Sequence, residues 1–213
     1  MKGWRIFTAY TPEYTQEMYA LRQSLSKLSI PLDSFPYVST GDWMRNCALT
    51  VEKTMAALDW LYPSPVVWLD SDARVLQKPT LFDDIPPSVD IGVHKRCNKS
   101  GGGYHYNSGT IYWANNGKTM AFLRDQAERL FAYRTTRAGV YPYMDYMLTE
   151  TEHDLEIYEL PLEYSFIEGT EQPEEQIPFG RVVILHTQAS RRLSKVVRDG
   201  CNNERTEETG LVD

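Results

Sequence analysis

The chain has 213 residues, a net charge of −7 and a hydrophobic content of 42%. This length fits one large domain or two small ones and is sufficient for a substantial core. The acidic balance argues against an overall basic surface of the kind that binds nucleic acid. No apolar run approaches the roughly 18 residues that span a membrane. The three cysteines are odd in number and widely spaced, which indicates neither a disulfide framework nor a zinc site.

The two ends of the chain carry further expectations. Residues 1–7 enter a strand pattern directly, without the apolar core and cleavage site of a signal peptide. Together with the cysteine usage, this predicts a reducing, cytoplasmic location. Neither an internal repeat nor a linker interrupts the sequence, so residues 1–198 are expected to form one domain. The polar residues 199–213 are expected to form a flexible tail.

Strand and helix patterns alternate in the first third of the chain. Pro12 stands at a favourable helix start, and the apolar residues that follow recur at helical spacing. The predicted elements are a strand over 4–10, a helix over 13–29, a strand over 32–38, a helix over 48–61 and a strand over 65–69. This order predicts an α/β fold with parallel strands and right-handed crossovers.

The pattern becomes less regular after residue 70. The predicted elements are a short extended piece over 74–76, a connection over 81–87, strands over 89–93 and 108–113, a helix over 116–131, a short helix over 144–150, strands over 155–160 and 181–185, and a helical turn over 191–197. Three loops separate them, a Gly-rich one at 98–103, an aromatic one at 135–143 and an acidic one at 168–178.

Two acidic residues follow the third strand. Val66–Leu69 is apolar throughout, as expected for a strand buried on both faces, and Asp70 and Asp72 come directly after it. Ligands of open α/β sheets gather at the carboxyl ends of the strands. Two unpaired carboxylates there repel each other unless a cation joins them, and Mg²⁺ or Mn²⁺ carrying a diphosphate is a suitable cation. The alternative is an Asp-rich turn in which Asp72 caps the next segment.

Four motifs occur in a fixed order, namely WLDSDA at 68–73, YNSGTI at 106–111, MDYML at 144–148 and VILHT at 183–187. In this order and spacing the chain resembles glycosyltransferases of the GT-A type, the nucleotide-diphospho-sugar transferases, from Arg5 to about Arg192. The closest similarity is to families with D-x-D, N-S-G and D-Q signatures. The resemblance implies a single domain with a Rossmann-like, mostly parallel central sheet flanked by helices.

The resemblance implies a metal site and a donor site. Asp70, Asp72 and His186 would hold Mn²⁺ or Mg²⁺ on the two phosphates, where the ion offsets charge on the departing nucleoside diphosphate. The implied donor contacts are Asp70, Ser71, Asn107, Ser108 and Gly109 at the diphosphate and sugar, Thr8, Ala9 and Tyr10 at the base and ribose, and Lys53 at the nucleotide. Each assignment has an alternative. His186 would be a surface histidine, residues 107–109 a common Asn-Ser-Gly turn, Tyr10 an aromatic residue of the sheet, and Lys53 a solvated lysine on a helix.

Three further residues take catalytic roles by resemblance. Asp145 stands where the family has the acid of D-Q, and Tyr146 replaces the glutamine. Asp145 would bond the sugar or the acceptor, or act as a base. Arg191 and Arg192 would stabilise the leaving group. The alternatives are that Asp145 is an acid at a helix N-terminus and that Arg191 and Arg192 belong to a basic final turn.

The implied activity is metal-dependent transfer of a sugar from a nucleotide diphosphate, a UDP-sugar in particular, to a glycan or other hydroxyl acceptor. By resemblance to the D-Q families, the anomeric configuration would be retained. Two alternatives stay open. One is a catalytically silent module that binds a nucleotide sugar or carbohydrate. The other is a transferase acting on modified nucleic-acid bases, with a local basic rim supplied by Lys95, Arg96, Lys99, Arg134 and Arg137.

Other nucleotide- or phosphate-handling enzymes fit the sequence less well. A haloacid-dehalogenase-type phosphatase also uses Asp-x-Asp after a strand, but it places the motif near the N-terminus and wants Thr or Val where Arg74 stands. A nucleotidyltransferase carries a Gly-rich basic loop after its first strand, which is absent here. The P-loop motif of NTPases is also absent from the sequence.

Overall fold

The computed structural model describes residues 3–41, 43–97, 104–132, 148, 153–169 and 177–189. Its strands and helices are β1 (Arg5–Tyr10), α1 (Thr15–Ser26), β2 (Leu32–Pro36), α2 (Trp43–Trp60), β3 (Val66–Leu69), β4 (Ala73–Val75), α3 (Leu81–Asp84), β5 (Ile91–Cys97), β6 (Tyr104–Trp113), α4 (Gly117–Ala132), β7 (Ile157–Glu159), β8 (Phe166–Ile167) and β9 (Ile184–His186). Short 3-10 turns occupy Pro12–Tyr14, Leu162–Tyr164 and Phe179–Arg181.

The main sheet has six strands in the order β2-β1-β3-β6-β5-β7. Strand β1 is parallel to both β2 and β3, and β5 is parallel to β7, whereas β6 runs antiparallel to β3 and to β5. A second sheet of three strands has the order β4-β9-β8. The predicted α/β fold with a mostly parallel central sheet flanked by helices is confirmed.

Apolar side chains of the main sheet alternate between two hydrophobic clusters. Phe7 and Trp68 belong to the cluster that contains buried residues of α2 and α4. Ile6 and Leu69 belong to the other cluster, with residues of α1, α3 and the second sheet. The sheet therefore lies between two layers, and β3, at its centre, is buried along its whole length. This burial explains the uniformly apolar sequence of β3.

Several elements differ from their predicted bounds. Helix α2 begins at Trp43 rather than at the predicted residue 48. In its first turn, the side chain of Asn46 binds Ser39 and Thr40 of the preceding loop. The helix predicted from 13 begins as the 3-10 turn Pro12–Tyr14 before α1. The strand predicted over 181–185 is partly a 3-10 turn, because only its last residues pair with β4 and β8. The predictions for 98–103, 135–143 and 191–197 lie outside the described residues, as does most of 144–150 and 168–178.

Strands β5 and β6 form a hairpin longer than predicted. The predicted strands covered 89–93 and 108–113, but β5 continues to Cys97 and β6 begins at Tyr104. Most of the added residues are polar or aromatic, so apolar patterning does not mark them as strand. Within the described ranges, no helix has both the length and the apolar character needed to cross a membrane.

Candidate metal and donor site

Asp70 lies at the carboxyl end of β3, where the central strand leaves the sheet. Its backbone N–H donates to the Gly109 carbonyl at 2.9 Å, and the Trp68 indole N–H donates to its Oδ1 at 3.1 Å. Burial is the main reason that the pKa of Asp70 is raised to about 6, and the negative charge of Asp72 adds to it. Asp70 is thus a carboxylate that a nearby cation would stabilise.

Asp72 is tied to the segment that follows β9. The Ala189 N–H donates to its Oδ2 at 2.7 Å, and Thr187 donates from its backbone and hydroxyl to the Asp72 carbonyl. Gln188 has a φ of +53°, a left-handed conformation in the turn between these two donors. Burial acts to raise the pKa of Asp72, but the neighbouring His186, the Ala189 N–H and the charge of Arg74 together hold it below its usual value.

His186 ends β9 and is buried, with one ring nitrogen bonded and the other without a partner. Its Nε2 lies 2.8 Å from the buried Thr110 hydroxyl. Its Nδ1 lies 3.8 Å from Asp72 Oδ1, and no hydrogen-bond partner for it exists among the described residues. A neutral imidazole that donates from Nε2 to Thr110 keeps a free lone pair on Nδ1. The ring nitrogen without a hydrogen-bond partner therefore faces the acidic pair.

Gly109 leaves the space that the imidazole fills. A Cβ at this position would lie 2.8 Å from His186 Cε1 and 2.9 Å from Nδ1, closer than real contacts of this kind. The His186 ring is buried and bonded to Thr110, so it cannot move easily to make room for a Cβ at Gly109. Glycine is needed here for the close approach of β6 to β9.

The Asn-Ser-Gly motif lies in a bulge inside β6 rather than at the start of the strand. Val93 of β5 pairs with Ile111, but the next residue, His94, pairs with Asn107, so residues 108–110 have no partner on β5. On the other side of β6, Thr110 still pairs with Leu69 of β3. The Asn107 Oδ1 accepts from the Gly109 N–H at 3.1 Å and holds the bulge closed. Bulges of this kind redirect side chains beside functional sites.

The donor set of Asp70, Asp72 and His186 fits a divalent metal ion. One ligand atom from each residue can be chosen so that all lie within 4.8 Å of one another. Two carboxylates and an imidazole suit Mn²⁺, and the carboxylates alone suit Mg²⁺. The unpartnered Nδ1 of His186 gives this set a nitrogen that a metal would satisfy.

The residues predicted at the base and ribose have different surroundings. Thr8 is fully buried and its hydroxyl has no partner in the described part of the chain, while the Ala9 methyl packs in the hydrophobic cluster of α2 and α4. Ala9 can therefore reach a ligand only through its backbone. Tyr10 is half-buried at the end of β1, and its carbonyl accepts from the Tyr37 N–H at 3.0 Å. Lys53 is half-buried in α2.

Tyr14 is a residue near the acidic pair that the sequence did not single out. Burial raises the pKa of its half-buried hydroxyl, and the charges of Asp72, Asp70 and the nearby Tyr37 raise it further. The 3-10 turn after β1 thus brings a neutral hydroxyl donor near the acidic pair. Its position three residues after Thr11, at a helix start, suggested only a helical residue, although Tyr14 and Tyr37 closely follow the first two strands.

The other predicted site residues divide into two groups. Ser71 is buried between the two acids, Asn107 is half-buried and Ser108 is exposed on the bulge. Asp145, Arg191 and Arg192 lie outside the described residues, so their roles stay predictions.

Comparisons with known proteins find likeness in structure alone. No protein-family model matches the chain, and no curated protein matches its sequence. A glycosyltransferase involved in the glycosylation of the major capsid of PBCV-1 has a TM-score of 0.63 at 14% identity, covering 87% of this chain and 93% of its own. The glycosyltransferase GlyE of Streptococcus pneumoniae TIGR4 has a TM-score of 0.61 at 16% identity and covers 88% of this chain, which spans 55% of GlyE. The chain therefore has the fold of solved glycosyltransferases.

Proposed function

We propose that the chain is a metal-dependent glycosyltransferase that uses a nucleotide-diphosphate sugar as donor. The observation that carries this proposal is the unpartnered Nδ1 of His186 beside Asp70 and Asp72 at the end of β3. A fold shared with glycosyltransferases supports the same activity. Under this proposal the Asp70–Asp72 pair is the D-x-D of the GT-A type, and the site holds Mn²⁺ or Mg²⁺.

The residues of the site have separate roles in this proposal. A bound divalent ion would supply positive charge to the diphosphate leaving group. Asp70, Asp72 and His186 would hold that ion, and the Thr110 hydroxyl, 2.8 Å from His186 Nε2, holds the ring in place. Ser108 lies exposed on the bulge, where a donor sugar can reach it.

The donor and acceptor belong to the same proposal. The donor is a UDP-sugar, with Tyr10 at the base, and the acceptor is a hydroxyl group of a glycan or of another molecule. Involvement of the PBCV-1 neighbour in glycosylation of a major capsid favours such acceptors over nucleic acid. Asp145 acts on the sugar or acceptor, Arg191 and Arg192 act on the leaving group, and the configuration is retained.

Slow donor hydrolysis without acceptor is the direct test. The full chain is incubated with UDP-, GDP-, dTDP- and CMP-sugars in Mn²⁺, and again in EDTA. We expect release of one nucleoside phosphate, in Mn²⁺ only, and its loss in Asp72→Asn. Asp59→Asn, an exposed change on α2, is the matched control and should retain wild-type activity.

The contrary result is equally clear. Full hydrolysis by Asp72→Asn, or hydrolysis that persists in EDTA, would refute the metal-dependent mechanism. No release from any donor, together with no donor binding by calorimetry, would favour a different reaction over glycosyl transfer. Donor binding without release, even with acceptors, would favour a silent binding module.

A further inference from the structure

The hairpin of β5 and β6 extends past the carboxyl end of the central strand. Leu69, the last residue of β3, pairs with Thr110 of β6, and the Asp70 N–H donates to the Gly109 carbonyl at 2.9 Å. Because β6 is antiparallel to β3, residues 104–108 continue beyond Asp70, over roughly 14 Å of strand. This part of the hairpin therefore lies beside the candidate metal site, at the edge of the sheet where ligands gather.

The hairpin end, residues 95–97 of β5 and 104–106 of β6, is basic. It carries Lys95, Arg96 and His105. Neither strand of the hairpin contains an aspartate or a glutamate, although the net charge of the chain is −7. A local excess of positive charge on an acidic protein draws anionic ligands to that place and repels them from the rest of the surface.

One face of the hairpin end joins this charge to the candidate site. Arg96 pairs with His105, and two residues further along each strand His94 pairs with Asn107, so these side chains share a face. Asn107 in turn accepts from the Gly109 N–H beside the site. Burial is the main reason that the pKa of His105 is below its usual value, and the nearby Arg96 and His94 lower it further. A cationic face thus runs from the hairpin end to the bulge.

The opposite face of the hairpin end presents an exposed aromatic ring. Tyr104 is 58% exposed, and the Lys95 ammonium lies 4.6 Å from the centroid of its ring. This cation–π contact places a positive charge against the ring. A tyrosine ring offers an apolar surface on which a sugar ring can pack, and a lysine beside it can bind an anionic substituent of that sugar.

We propose that the hairpin end binds the acceptor, and that the acceptor is a glycan that carries negatively charged groups. The proposal rests on the proposed function, because it takes the molecule that approaches the site along the hairpin to be the acceptor of the transferred sugar. Its reacting hydroxyl would lie toward Ser108, which is exposed on the bulge. Nucleic acid carries a charge at every nucleotide and needs an extended basic surface, whereas the hairpin end is short and the chain as a whole is acidic.

Binding of oligosaccharides to the full chain tests the charge preference. Calorimetry in EDTA, which prevents metal ions from bridging glycan and protein, compares an oligogalacturonate hexasaccharide, a heparin hexasaccharide and neutral maltohexaose. We expect at least one acidic hexasaccharide to bind about tenfold more tightly than maltohexaose. Its affinity should fall as NaCl is raised, because salt screens exposed charges. A single-stranded oligonucleotide of similar length is measured alongside.

Two double variants with the same loss of charge separate the hairpin end from the net charge of the protein. Lys95→Gln with Arg96→Gln should weaken binding of the acidic hexasaccharide by about tenfold. Lys27→Gln with Arg124→Gln removes an exposed lysine after α1 and an exposed arginine on α4, and it should leave the affinity unchanged. Lys95→Arg with Arg96→Lys keeps both charges and should retain most of the affinity. Circular dichroism checks that each variant is folded.

Donor turnover in Mn²⁺ tests the acceptor role on the same glycan. With the donor that the wild type hydrolyses, the acidic hexasaccharide should raise release of the nucleoside phosphate above hydrolysis alone, because an acceptor hydroxyl replaces water. Lys95→Gln with Arg96→Gln should need about tenfold more glycan for the same increase. No increase with any bound acidic glycan would overturn the acceptor role.

The failures of the two proposals can be told apart. If the wild type hydrolyses a donor but binds maltohexaose as tightly as the acidic glycans, or if the two charge-removing variants lose equal affinity, only the acceptor proposal is wrong. Tighter binding of the oligonucleotide than of both acidic glycans, lost in the hairpin variant, would overturn it in favour of nucleic acid. If acidic glycans bind at the hairpin end but no donor is bound or hydrolysed, the proposed function is wrong and the acceptor role with it.

Discussion

Gly109 and His186 are fitted to each other: a Cβ on Gly109 would lie 2.9 Å from the ring nitrogen that faces Asp72. The glycine is on a bulge of β6, and the histidine is at the end of β9 in the other sheet. Their contact joins the two sheets beside the acidic pair. The orientation of the imidazole thus depends on a residue that has no side chain of its own.

Replacing this glycine tests the contact directly. Gly109→Ala should push the imidazole out of place and weaken Mn²⁺ binding by about 10- to 100-fold, the range for disturbed support of a metal ligand. Calorimetry with Mn²⁺ measures the effect, and circular dichroism checks that the fold is kept. Gly117→Ala is the matched control, because a Cβ at Gly117 meets no atom within 4 Å. Unchanged Mn²⁺ affinity in Gly109→Ala would show that His186 is not a ligand.

Thr110 is predicted to hold the His186 ring in the orientation that directs Nδ1 to the acidic pair. Thr110→Val keeps the shape of the side chain but removes the hydroxyl that bonds Nε2 at 2.8 Å. Because Nε2 then loses its hydrogen-bond partner, the ring is no longer held in place, and Mn²⁺ affinity should fall by about 10- to 100-fold. Thr54→Val is the control, since Thr54 is also buried but binds a carbonyl within α2. Equal Mn²⁺ affinities in the two variants would contradict this role.

Asp70 should make the metal-free protein less stable as the pH rises. The pKa of Asp70 is raised to about 6, mainly by burial, so the folded state holds its proton more tightly than the unfolded chain. Between about pH 4 and 6 the folded protein therefore binds more protons, and its free energy of unfolding falls as pH increases through this window. Asp72, with a lowered pKa, stays charged throughout it.

Asp70→Asn isolates this contribution. The amide keeps an oxygen for the Trp68 indole N–H, so the local structure should be preserved. Denaturant unfolding of the metal-free proteins at several pH values should show the wild type losing stability relative to Asp70→Asn as pH rises from 4 to 7. Parallel profiles for the two proteins would mean that Asp70 is not held at a raised pKa. Saturating Mn²⁺ should stabilise the wild type at pH 7 and the variant less.

The sequence predicts the central part of the fold because the physical signals there are local. Strand β3 is apolar along its whole length, and Asp70 and Asp72 follow it at once, so both the buried strand and the acids at its end can be found by reading residues in order. His186 was found only through the resemblance and the order of motifs. A lone histidine at the end of a short strand has no local mark of a metal ligand.

The features that the sequence did not predict are long-range pairings. The three-residue bulge in β6 arises because Asn107 and Ile111 pair with consecutive residues of β5, a register that no local pattern encodes. Tyr14 was missed because its surroundings come from Asp72 in another element.

Binding of Mn²⁺ to the wild type, to Asp72→Asn and to His186→Ala is the decisive measurement for the proposed metal site. Asp70, Asp72 and His186 are proposed to hold one divalent ion together. We expect one Mn²⁺ per chain by calorimetry in the wild type, with binding lost in Asp72→Asn and clearly weakened in His186→Ala. Titration curves for both variants that match the wild type, in folded protein, would contradict it and make the three residues structural.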